Sequence, residues 1–185
     1  MKKILSVLIG LSFAGMAQAV DPNLNYVTPN GFQRGAEVSA TFSGRRLADA
    51  EEILFYEPGV KVLSIDKKED RSVVAKLKIA PDSELGEHRY RIRTKTGLSE
   101  LRTFYVGPFK QIDELEKSTE NNDIAKAEKI EPNITVAGKV NREDIDHYVF
   151  EAKKGEKLSV ELEGIRLGRT SSSLFDAYVA FLDKD

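Results

Sequence analysis

From Val20 to about Gly107 the chain alternates apolar and polar residues with the period of two that marks half-buried strands. Over residues 37–43, Val38, Ala40 and Phe42 fall on one face and Ser39, Thr41 and Ser43 on the other. Residues 53–56 form a short apolar run. Residues 60–65 carry Val60, Val62 and, after a one-residue slip, Ile65. Over 73–79, Val73, Ala75, Leu77 and Ile79 oppose Lys76 and Lys78. The cleanest alternation is 87–94, where His88, Tyr90 and Ile92 face one way and Arg89, Arg91 and Arg93 the other. Residues 101–106 close the series. Pro29, Gly31, Gly35, Gly44, Pro58-Gly59, Pro81-Asp82, Gly86 and Gly97 fall between the runs, where a fixed or positive φ makes turns. About seven short antiparallel strands at this spacing predict a small two-sheet sandwich.

A polar, charged stretch follows Gly107-Pro108, and residues 108–122 read as a linker between a domain at 20–107 and another at 123–185. A short helix is predicted around 123–129, with Asn122 or Asp123 as N-cap. Strand patterns resume at 134–140, 146–152, 157–162 and 177–182.

At the other end, Met1-Lys2-Lys3, an apolar run to about Met16 and Ala17-Gln18-Ala19 have the three parts of an export signal over 1–19. The run falls short of the roughly 20 residues that span a bilayer. Cleavage after Ala19 takes the formal charge from −2 to −4. The expected product is exported, periplasmic, cell-surface or extracellular, with no membrane span.

Composition narrows the chemistry. The 28 Lys+Arg against 30 Asp+Glu lack the basic excess of a nucleic-acid binder. With no Cys, disulfide scaffolding, thiol catalysis and Cys-ligated zinc are excluded. His88 and His147 are the only histidines, both within strand patterns. Neither Ser99 nor Ser171-Ser172-Ser173 stands in a Gly-x-Ser-x-Gly elbow, and there is no His-Glu-x-x-His or Gly-rich phosphate loop. No catalytic constellation is expected. Arg89, Arg91 and Arg93 are a candidate surface for an anionic partner, the plainer reading being a solvated face paired with acids such as Glu87 and Glu100.

Two resemblances extend this reading. Pro29-x-Gly31, Gly35, Val38, Gly44 and Leu47, then Gly86, the arginine strand, Thr96-Gly97 and Phe104-x-Val106, resemble an IPT/TIG-type immunoglobulin-like domain. Asn121-Asn122-Asp123, Ala125, Ala127, Gly138, Asp144-x-Asp146-x-Tyr148-x-Phe150, Gly155 and Leu158-x-Val160 resemble the start of a bacterial pre-peptidase C-terminal (PPC) domain. That resemblance implies a jelly-roll-like β-sandwich from a secreted multi-domain protein, some relatives of which hold calcium. The expected fold class is all-β: an Ig-like sandwich followed by a partial PPC-type sandwich. The family pattern continues beyond the corner at Phe181-Leu182-Asp183, so 123–185 reads as incomplete, or as strands that pack on the first domain or a partner.

Calcium takes six to eight oxygen ligands. With the family's habit in view, Glu120, Asn122, Asp123, Asp144 and Asp146 are the candidate ligands, against the alternative of an Asx-rich turn and a cap. The expected role is a non-catalytic exported module for binding, spacing or envelope attachment, its partner an extracellular or envelope protein or polysaccharide. The alternative is an accessory part of a secreted hydrolase or peptidase.

Overall fold

The computed structural model describes residues 20–114, 121–138, 145–164 and 178–182. The signal read over 1–19 lies outside the described residues, as do Glu120, Asp144 and the Ser171-Ser172-Ser173 run.

The described chain is nearly all strand. β1 (Asn23–Thr28), β3 (Glu37–Arg45), β6 (Ser72–Ile79) and β5 (Val60–Lys68) form one sheet in the order β1-β3-β6-β5. β2 (Gly31–Gln33), β8 (Arg102–Gly107), β7 (Gly86–Thr94) and β4 (Ala50–Phe55) form the other, in the order β2-β8-β7-β4. One sheet turns Ala40, Phe42, Val73, Ala75, Leu77 and Ile79 inward, and the other Phe32, Ile53, Tyr90, Ile92, Phe104 and Val106, all buried in a single core. The predicted inward faces of residues 73–79 and 87–94 are the buried ones. Phe104 is the hub of an aromatic cluster, with ring centroids 4.8 Å from Phe32, 5.7 Å from Phe55 and 5.8 Å from Tyr90. Phe42 meets Tyr90 edge-on at 5.3 Å and joins the two sheets.

Within the two sandwich sheets the pairing departs from the predicted antiparallel pattern at one place. β2 runs parallel to β8, with Gly31 opposite Tyr105 and Phe32 opposite Val106. Pro29 has no N–H to give a ladder, so the first strand ends there and its continuation pairs in the other sheet.

Each sandwich edge has a visible device against further pairing. On β1, Glu100 accepts from the Leu24 N–H at 2.8 Å and Arg102 Nε donates to the Asn25 carbonyl at 3.1 Å. β5 is broken by two register shifts and carries Lys61, Lys67 and Lys68. β4 is broken between Ala50 and Glu52, and Lys68 reaches the Ala50 carbonyl at 3.2 Å. β2 is three residues long.

Beyond the sandwich the strands are short. β9 (Lys110–Asp113) pairs in parallel with β11 (Ile134–Ala137), and β10 (Glu128–Lys129) with β12 (Tyr148–Val149). β9 falls within the interval read as a linker, where Ile112 sits opposite Val136. The helix predicted over 123–129 is a single 3-10 turn, Ile124–Lys126. Residues 157–162, despite their alternation, and the apolar run 178–182 form no strand: neither has a ladder partner among the described residues, and Leu158, Val160, Leu162 and Phe181 are exposed.

Candidate functional site

The arginine row lies on the outer face of β7, placed there by the alternation that buries His88, Tyr90 and Ile92. Two of the three arginines are already matched. Glu57, in the turn after β4, accepts from the Arg89 backbone N–H at 2.5 Å and from Arg89 Nε at 2.6 Å. Burial pushes the Glu57 carboxyl up, but the Arg89 N–H and guanidinium outweigh it and hold the group below the usual carboxylate range. Arg93 donates to Glu52 and Glu51, which push its guanidinium further up. Arg91, opposite Leu54, has its Nε buried without a hydrogen-bond partner among the described residues. The acids suggested by sequence proximity do other work: Glu100 holds Leu24 and Asn23, and Glu87 sits opposite Tyr105. The actual partners come from β4 and its turn, 32 and 42 residues away.

Acidic side chains gather around Tyr148 of β12. The Tyr148 hydroxyl donates to Glu114 at 2.6 Å. Desolvation first, then that bond to Glu114 and the carboxylates of Asp146 and Glu128, push the Tyr148 phenol far up. The Asn121 carbonyl, buried, accepts from the His147 N–H at 3.1 Å and lies 3.0 Å from His147 Nδ1. Of the five predicted calcium ligands, three are described. Asp123 caps the 3-10 turn by accepting from the Ala125 N–H at 3.0 Å. Asp146 lies in the Tyr148 cluster. Asn122 Oδ1 is buried without a hydrogen-bond partner among the described residues. Beside Asp146, the Tyr148 hydroxyl feels Glu114 and Glu128, two acids that sequence reading passed over. Glu128 stands directly opposite Tyr148 in the ladder, a register no local pattern announces. Among the described residues, no group of three or more His, Asp or Glu is placed to hold a metal ion.

The remaining polar candidates serve the backbone. His88 is 1% exposed, its Nε2 2.8 Å from the Glu84 carbonyl and its ring 5.4 Å from Phe104. Ser99 Oγ accepts from the Ile92 N–H at 2.9 Å and donates to the Glu100 carbonyl at 3.0 Å. Among the described residues no helix is long and apolar enough to cross a membrane.

Compared with models of known protein families and with curated proteins, the chain matches none.

Proposed function

We propose that this chain is an exported, non-catalytic module that works by binding, spacing or envelope attachment, an Ig-like IPT/TIG-type sandwich joined to a PPC-like segment. The observation that carries the proposal is the guarded sandwich: a single core with a device on every edge suits a unit that presents flat faces rather than adding strands. The test is expression with the native leader. The expected result is an exported protein beginning at Val20 that crosslinks to an envelope component. Retention in the cytoplasm with Met1 intact overturns the reading.

Calcium belongs to the same proposal. It would be held by Glu120, Asn122, Asp123, Asp144 and Asp146, and would contribute only oxygen coordination that stiffens the junction after β9. The buried Asn122 Oδ1 supports it. Calorimetric titration should show calcium heat in the unaltered chain and none in Asp144→Ala/Asp146→Ala; no heat in the unaltered chain removes the metal.

A second reading, an accessory part of a secreted hydrolase or peptidase, is favoured by the exposed apolar side chains of Leu158, Val160, Leu162, Tyr178 and Phe181, which suit burial against further protein. A longer chain that includes a catalytic domain should protect these segments from hydrogen exchange if that reading holds.

A further inference from the structure

The arginines drew attention in the sequence, but the opposite sheet carries the more open positive charge. β5 and β6 pair so that Lys61 stands directly opposite Lys78. Lys78 in turn stands opposite Glu37 of β3, and Lys76 stands between Ser39 and Ser64. All three lysines are exposed, while Ala75, Leu77 and Ile79 between and beside them are buried, so the ammonium groups share the outer face. Lys78 lies 3.4 Å from the Glu37 carboxylate, with side chains 54% and 61% exposed, a weak pairing. Lys61 and Lys76 have no ion pair among the described residues.

Like charges directly opposed across a ladder destabilise a sheet. Guarding an open edge explains Lys61 on β5. It does not explain Lys76 and Lys78, because β6 is paired on both sides. Alternate residues on a strand stand about 6.6 Å apart and neighbouring strands about 4.8 Å apart, so the three cations form a compact triangle.

We propose that this face docks an acidic polysaccharide, with Lys61, Lys76 and Lys78 as the contacts to its carboxylates. The proposal rests on the reading of the chain as a binding module and names a partner class for it. Lysine is a compact point charge that needs no planar, bidentate geometry, which suits a polymer of repeating charges. Ser39 and Thr41 stand on the same face and both donate and accept, which suits sugar hydroxyls, while the Ser64 hydroxyl is already given to Asp66 at 2.5 Å. Protein interfaces are depleted in Lys and enriched in aromatic residues, and no aromatic residue lies on β5 or β6. Leu63 is the single large exposed apolar side chain on these two strands, too little to insert into a lipid surface.

The test is affinity electrophoresis of the full chain through gels containing polygalacturonate, neutral dextran or polyglutamate. Retardation is expected in polygalacturonate alone, and it should vanish in 0.5 M salt, where the screening length falls to about 4 Å. The variant Lys61→Ser/Lys76→Ser/Lys78→Ser should bind about tenfold more weakly. Arg91→Ser should bind as the unaltered chain does. Glu37→Gln, which removes the competing carboxylate, should bind about twofold more tightly. If the triple variant does not fold, by its thermal transition, Lys76→Ser and Glu37→Gln decide the matter with opposite shifts. No retardation by polygalacturonate, equal retardation by polyglutamate, or full binding by a folded triple variant each overturns the assignment. Crosslinking to an envelope component that persists in the triple variant overturns this face and leaves the module reading in place.

Discussion

The Tyr90 hydroxyl is buried in the aromatic cluster without a hydrogen-bond partner among the described residues, and its desolvation pushes the phenol far up. A buried unsatisfied group is costly, so Tyr90→Phe should stabilise the protein by about 1 kcal/mol in denaturant titration; a loss of that size would mean the hydroxyl has a role in the core. Glu57 behaves in the opposite way. Its carboxyl is held below the ordinary glutamate value of about 4.5 in the folded chain. Its stabilising contribution is therefore full above that pH and fades as pH falls through the depressed value. Glu57→Gln should lower stability at pH 7 by about 0.5–1 kcal/mol, since Arg89 is partly exposed, and should flatten the pH profile below 4.5. Parallel profiles for the two proteins would show that the pair contributes nothing. Residue by residue, the sequence told which side of β7 is buried but not who neutralises the arginines. Facing follows from a period of two; partnership follows from strand order.

Elements were legible in proportion to how far their pattern depends on burial alone. β3, β5, β6 and β7 alternate against a core, and the sequence shows them. β1 is obscured by a register shift between Leu24 and Tyr26 that breaks its alternation. β9 is hidden among charges because its pairing with β11 rests on backbone bonds. Residues 157–162 show the converse: alternation without a ladder partner among the described residues makes no strand. The β1–β3 crossing gives a sharp test. A Cβ on Gly44 would run into the Asn23 carbonyl and the Leu47 side chain. Gly44→Ala should therefore destabilise by about 2–3 kcal/mol, measured by chemical unfolding. Glu100→Ala should cost about 1 kcal/mol by releasing the Leu24 N–H. It should also promote self-association through the β1 edge, visible by light scattering; an unchanged monomer would show that Arg102 alone guards the strand.

For the whole molecule, every buried core residue among the described residues lies between Leu24 and Val106. A fragment of residues 20–114 should unfold in one cooperative transition near that of the full chain, followed by far-UV circular dichroism. Loss of cooperativity would mean that the later strands support the core. The all-β class was readable from the run of short strands, and the membership of each sheet was not. Strands β1 to β5 alternate between the two sheets while β5–β6 and β7–β8 stay together, in the orders β1-β3-β6-β5 and β2-β8-β7-β4, and only the closed core decides which strand goes where. The candidate cluster around Tyr148 was half legible: Asp146 stood out by its spacing, while Glu114 and Glu128 reach it through pairing across distant segments.

The clamp on β1 reaches furthest along the chain. Glu100 and Arg102 meet backbone groups 76 and 77 residues earlier, and β8 also supplies the ladder for β2. β1 can pair with β3 as soon as that strand is made, but β2 has no ladder partner, and the outer edge of β1 no cover, until residues 100–107 follow. Such remote closure sets folding on the slow side, about milliseconds to seconds.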